Sequence, residues 1–146
     1  MEFVSNKSKA ICLGARTGQE VRALQELGIE AIGIDLVPFP PYTIEGDIHN
    51  LEYSDESFDF VFTNIFDHTP YPEKFVSEME RVCAVSGVIV INLLVKAPGD
   101  DYSENIVYDA SQVEELFKLC SVIESRKIKN SFDSMNHEIV LRKQPD

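Results

Sequence analysis

A short apolar run, Lys9-Ala-Ile-Cys-Leu13, breaks at Gly14-Ala-Arg-Thr-Gly18, and this junction constrains the chain more than any other stretch. Glycines bracketing a five-residue turn allow a tight reversal and a close backbone approach. A helical-period segment follows, with Val21, Leu24 and Leu27 on one face and Gly28 as its stop. A second apolar run, Glu30-Ala-Ile-Gly-Ile34, then ends in Asp35, 17 residues beyond Gly18. Strand, turn, helix and strand in this order form one unit of a parallel sheet.

The alternation continues. The segment Val37-Pro-Phe-Pro-Pro-Tyr42 carries three prolines in four positions and excludes an ordinary helix. A short third strand is expected at Thr43–Glu45 and a fourth at Phe58–Thr63. Pro72 suits the first turn of a helix running through Phe75, Val76, Met79 and Val82. Gly87 to Leu94 is the most apolar stretch and reads as a central strand. After a polar loop from Pro98 to Tyr108, Ser111 and Glu114 match a capping box, opening a helix with Val113, Leu116, Phe117 and Cys120 inward. Strands near Ser121–Lys127 and His137–Arg142 complete an α/β domain of seven strands and three main helices.

At 146 residues the whole chain, 1–146, fits one domain. Thirteen basic against twenty-five acidic residues leave a net charge of −12, which repels phosphate backbones and argues against nucleic acid as a partner. The patch at Arg126, Lys127 and Lys129 reads as a solvated strand edge. Cys12, Cys83 and Cys120 lie far apart and show no metal spacing, which favours a reducing compartment and predicts no metal. Met1 to Ala10 has no long apolar segment, and no run approaches the ~20 apolar residues a membrane span needs. A soluble, cytoplasmic protein is expected.

The acid at the tip of the second strand gives the turn a chemical meaning. The helix N-terminus after Gly18 offers amides and a positive dipole end to an anionic group. Asp35 is placed to accept hydrogen bonds from ribose hydroxyls. By itself this pattern also describes a plain strand–helix turn beside a solvated loop aspartate.

The strings Ile11-Cys-Leu-Gly-Ala-Arg-Thr-Gly18, Gly33-Ile-Asp35, Gly46-Asp-Ile48, Phe58-Asp-Phe-Val-Phe62, Pro72 to Val82 and Ser86-Gly-Val-Ile-Val-Ile91 follow in order. Together they resemble the successive motifs of class I S-adenosylmethionine-dependent methyltransferases. Gly14 to Val21, Gly33 to Pro41 and Phe66-Asp-His68 are similar to a group of plant methyltransferase-like proteins of unassigned acceptor. The resemblance implies a Rossmann-like sheet of order 3-2-1-4-5-7-6, with strand 7 antiparallel and helices on both faces. It also implies S-adenosyl-L-methionine as cofactor. Gly14, Ala15, Arg16, Thr17 and Gly18 would cradle its methionine part and ribose edge. Asp35 would bind the ribose hydroxyls, and Leu36 would pack on the adenine. Past Gly46, Asp47 would accept from the adenine amine, and the Ile48 amide would address the ring. Asn64 and Ile65 would border the methionine moiety.

Two positions depart from the pattern. Cys12 stands where the family usually has an acid that fixes the cofactor's amino group, and Arg16 replaces the middle glycine of the turn. The Arg16 guanidinium can pair with the cofactor carboxylate, or it is a solvent-facing loop arginine. For proton removal from an acceptor the candidates are Asp67 and His68; a histidine beside Thr69-Pro70 equally reads as a loop-fixing partner. His49 reads as a surface or pocket-wall residue and His137 as structural. Only eight residues precede the first strand, so the N-terminal cap over the acceptor is expected to be reduced, leaving an open cleft or one closed by a second copy in a homo-oligomer. The acceptor would be a small molecule or a protein. The alternative is a catalytically weak or inactive cofactor-binding module acting through a protein partner, favoured by Cys12, Arg16 and the missing cap. A nicotinamide-dinucleotide enzyme lacks support, because no glycine lies between Gly14 and Gly18 to make the Gly-x-Gly-x-x-Gly fingerprint.

Overall fold

The computed structural model describes residues 8–95, 109–129 and 135–145, and there the apolar runs become strands. They are β1 (Lys9–Leu13), β2 (Glu30–Asp35), β3 (Thr43–Glu45), β4 (Phe58–Thr63), β5 (Cys83–Leu93), β6 (Cys120–Lys127) and β7 (His137–Lys143). All seven join one sheet in the order β3-β2-β1-β4-β5-β7-β6. Pairing is parallel from β3 through β5, and β7 runs antiparallel between β5 and β6. This is the expected mostly parallel topology, and the central strands are apolar on both faces because both faces are covered.

Side chains alternate between two cores. Ile11, Leu13, Val61, Ile89, Ile91, Ile139 and Leu141 face α2 (Pro72–Val82), joined by Phe75, Val76, Met79 and Val82. Ala10, Cys12, Phe60, Phe62, Val88, Val90 and Val140 face the side of α1 (Gln19–Glu26), with Val21 and Leu24. Leu27 does not share that buried stripe; it is 58% exposed. The reason is the helix stop: Gly28, at φ +85°, donates to the Gln25 carbonyl, and Ile29 donates to that of Leu24. That Schellman arrangement turns the chain just as Leu27 would have come round.

Two other expectations shift. Strand β5 begins at Cys83 rather than Gly87, directly after α2, with a bulge in its pairing to β4 between Phe58 and Phe60. The third helix is a single turn, α3 (Ser111–Glu114), and Ser111 is not its cap. Asp109 accepts the Ser111 amide at 2.9 Å, and Gln112 accepts the Asp109 amide at 2.8 Å. The reciprocal box therefore sits two residues earlier in the chain. Cys120 opens β6 instead of facing inward from a helix, because the carboxylate of Glu80 fixes the preceding turn by accepting the amides of Lys118 and Leu119 at 3.1 and 2.6 Å. The expected loop from Pro98 to Tyr108 lies outside the described residues. Among the described residues no helix is long and apolar enough to cross a membrane.

Glu78 is the second buried acid of α2. It accepts the Leu51 amide at 2.7 Å and the Arg81 Nε at 2.7 Å, while Arg81 also donates to the Tyr53 and Leu51 carbonyls. The group thus staples the β3–β4 connection to the helix. Burial pushes the Glu78 carboxyl up, but the Arg81 and Leu51 bonds outweigh it and hold it below its ordinary 4.5. A lowered folded-state value means the stabilisation is complete above that ordinary value and is lost as pH falls through the lowered one. Glu78→Gln is expected to cost about 3 kcal/mol at neutral pH by leaving the guanidinium underpaired. The gap to wild type should narrow at acidic pH, and denaturant unfolding at both pH values checks this.

Candidate functional site

At the carboxyl ends of β1 and β2, the turn adopts a run of backbone conformations that few sequences permit. Gly14, Arg16 and Gly18 all have positive φ, at 70°, 51° and 82°. The Gly14 and Ala15 amides both donate to the Ile34 carbonyl, which pins the turn to the tip of β2. A Cβ on Gly14 would lie 2.2 Å from Ile65 Cγ1, and one on Gly18 would lie 2.4 Å from the Cβ of Tyr42. Glycine is required at both places by conformation and by space. Arg16 meets the same left-handed geometry with a side chain, which costs about 1–2 kcal/mol relative to glycine. Gly18 caps α1 without a side-chain bond, so the first amides of the helix have no side-chain acceptor at the cap.

Two aspartates stand at neighbouring strand tips. Asp35 Oδ2 accepts the Arg16 amide at 2.8 Å, and Oδ1 accepts the Val37 amide at 3.1 Å. The Gly46 amide donates to the Asp35 carbonyl at 3.0 Å, tying the tip of β3 to that of β2. Asp47 Oδ1 accepts the backbone amide of His49 at 2.8 Å. This bond, aided by the His49 ring, holds the Asp47 carboxyl below its usual range against a smaller opposing effect of burial.

Around these acids lie two hollows rather than one continuous cleft. The smaller, about 450 Å³, is lined by Gly14, Ala15, Arg16, Thr17, Gln19, Glu20, Asn64, Ile65, His68 and Met135. The larger, about 750 Å³, is bordered by Leu36, Gly46, Asp47, Asn50 and Tyr53 among others. Asp35 lines neither but bonds to both walls, through Arg16 on one side and Gly46 on the other. Four of the expected cradle residues, Gly14, Ala15, Arg16 and Thr17, therefore come together with Asn64, Ile65 and His68, while Gly18 does not line the hollow; Leu36, Gly46 and Asp47 meet around the other. The Ile48 side chain packs against the main core.

The pair after β4 is divided. His68 is half-exposed and faces the smaller hollow, whereas Asp67 is buried, with its Oδ2 at 3.9 Å from His68 Nε2. Cys12 is fully buried; burial pushes its thiol well above the usual range, and the charge of Glu20 adds to this.

Glu20 escaped sequence reasoning, and His49, read there as a surface or pocket-wall residue, has bonds that the reading did not include. Glu20, in the first turn of α1, lines the smaller hollow and accepts from Asn64 Nδ2 at 3.2 Å. An acid in the first helical turn usually answers only to the dipole, so nothing local marked it. His49 is bonded to Asp47 and to Thr69; its spacing of two residues from an aspartate was the available signal. Among the described residues, no group of three or more His, Cys, Asp or Glu could hold a metal ion.

A family model described as a methyltransferase domain matches residues 11–91, more than half of the chain. A search of curated proteins returns no match. Among solved structures, the chain resembles 1,6-didemethyltoxoflavin-N1-methyltransferase of Burkholderia thailandensis with bound 1,6-didemethyltoxoflavin and S-adenosylhomocysteine. The TM-score is 0.75 at 13% identity, over 94% of this chain and 72% of that one. A SAM-dependent methyltransferase from Methanosarcina mazei gives 0.78 at 13% identity, over 99% and 96%. The 4+2 cyclase SpnF gives 0.79 at 13% identity, over 98% and 77%.

Proposed function

The chain belongs to the methyltransferase-domain family, and on that footing we propose that it binds S-adenosyl-L-methionine across the two hollows and transfers its methyl group to an acceptor. The observation that carries this reading is the pair of aspartates at adjacent strand tips beside a left-handed glycine turn. The donor set fits the cofactor. Asp35 is an acceptor for ribose hydroxyls, Asp47 for the adenine amine, and Leu36 an apolar surface for the ring. The smaller hollow carries one guanidinium and one carboxylate, Arg16 and Glu20, which suit the α-carboxylate and α-ammonium of the methionine end. Glu20 thus supplies a charge that buried Cys12 cannot. The cofactor contributes an electrophilic methyl on a sulfonium.

What the residues do is hold, orient and receive a proton. Fixing the donor beside an open acceptor space supplies much of the rate by proximity. His68, half-exposed at the rim, is the candidate general base for an acceptor that must lose a proton, with buried Asp67 behind it to stabilise the imidazolium. The acceptor is a small molecule or a protein side chain. Three free cysteines and the acidic composition fit a reducing, cytoplasmic setting.

Arg16 gives the first test. Arg16→Gly relieves the left-handed strain, so its unfolding temperature should equal or exceed that of wild type, while its affinity for S-adenosylhomocysteine falls about tenfold. Calorimetric titration and thermal unfolding read the two effects separately; unchanged affinity would make Arg16 a loop residue. Transfer of labelled methyl to any component of a cell extract tests turnover. A second reading, a cofactor-binding domain without methyl transfer, is favoured by Cys12 and by a structural neighbour described as a cyclase. It predicts binding without label transfer.

A further inference from the structure

Asp47 spends one of its oxygens on a single neighbour. Oδ1 receives both the His49 amide at 2.8 Å and the His49 ring nitrogen Nδ1 at 3.1 Å. Across the ring, Nε2 meets the hydroxyl of Thr69, a buried residue that also accepts the Tyr71 amide at 3.2 Å. Proton placement follows from what each partner can do. A carboxylate only accepts, so Nδ1 carries the hydrogen, and the Thr69 hydroxyl, already accepting from Tyr71, donates to Nε2. The imidazole is held in plane as well, edge-on to Tyr71 at 5.5 Å between ring centroids and tilted on Phe75 at 5.9 Å.

This arrangement leaves Oδ2 as the oxygen of Asp47 with acceptor capacity, on a side chain that is 57% exposed while the histidine behind it is only 17% exposed. Rotation of the carboxylate would break one or both bonds at Oδ1. Resting on the cofactor reading above, we propose that His49 is a positioning residue that fixes the Asp47 carboxylate so that Oδ2 receives the exocyclic amine of a 6-aminopurine, making the site selective for adenine over 6-oxopurine nucleosides. A 6-oxopurine turns carbonyl lone pairs toward that oxygen, and a carboxylate has no hydrogen to meet them. The His49 ring also anchors Thr69, so the hold on Asp47 is braced against the start of α2 rather than against a free loop.

The test is titration calorimetry of S-adenosylhomocysteine and S-inosylhomocysteine against wild type, His49→Phe and His49→Asn. Phenylalanine keeps the packing on Tyr71 and Phe75 but has no donor, whereas asparagine restores an N–H near the place of Nδ1. Wild type should prefer the adenosyl compound by roughly 30-fold, the range of one charge-assisted hydrogen bond. In His49→Phe that ratio should collapse to about threefold, with adenosyl affinity about tenfold lower; His49→Asn should recover most of both. A role in folding alone would weaken both nucleosides alike, and a ratio that survives His49→Phe overturns the proposal. Wild type that binds neither compound overturns the cofactor reading and this proposal with it, an outcome distinct from the surviving ratio.

Discussion

Asp35→Asn should bind S-adenosylhomocysteine roughly 100-fold more weakly than wild type while unfolding within a few degrees of it. The substitution separates the two tasks of the side chain. An asparagine oxygen can still accept the Arg16 amide that the carboxylate accepts at 2.8 Å, so the turn stays attached to β2, while the longer bond from the Val37 amide at 3.1 Å is given up because an amide nitrogen cannot accept it. What changes is the face offered to a ribose, where an acceptor for two hydroxyls becomes in part a donor. Losing one hydrogen bond to a charged group, at about 1.5–3 kcal/mol, while the other is kept accounts for the size of the effect. Titration calorimetry and thermal unfolding of the same preparation measure both quantities. Loss of stability in proportion to loss of affinity would mean that Asp35 serves the fold alone.

Gly14→Ala should be among the most destabilising single methyl additions in the molecule, at about 3 kcal/mol. Two costs add there. The backbone is left-handed at φ +70°, worth about 1–2 kcal/mol for a residue with a Cβ. That Cβ would also meet Ile65 Cγ1 at 2.2 Å, an overpacking of about 1–3 kcal/mol. The double variant Gly14→Ala/Ile65→Ala separates them, because shortening Ile65 removes the clash but not the strain. Denaturant unfolding should show the double variant less destabilised than the two single changes sum to. Strict additivity would show that Gly14 is needed for conformation alone.

Much of this molecule is local, and what is local was legible. The turn glycines, the tip acid Asp35 and the bounds of β3 and β4 follow from spacing within a few residues, and each stands where it was expected. What escaped depends on partners distant in the chain. Glu78 and Glu80 lie outside the apolar set Phe75, Val76, Met79 and Val82 that marks α2 in the sequence, yet amides 27 and 38 or more residues away reach them, and both are buried. The cap of α3 was misplaced because Ser111–Glu114 and Asp109–Gln112 satisfy the same pattern, and the turn held by Glu80 leaves room for only one helical turn. In the site, Glu20 acquires its meaning from Asn64, 44 positions on, and His49 from Thr69, 20 positions on. Periodicity carries no information about such pairs.

The central claim is that the folded chain holds an adenosyl cofactor between two strand-tip acids. Thermal unfolding of the wild-type chain with S-adenosylhomocysteine tests it most directly. A ligand that binds only the folded state, present at a hundred times its Kd, stabilises it by about 2.7 kcal/mol, or roughly 8 °C for a domain of this size. The account predicts a saturable rise of that order, absent with NAD. An unfolding temperature that stays fixed up to millimolar S-adenosylhomocysteine would contradict it.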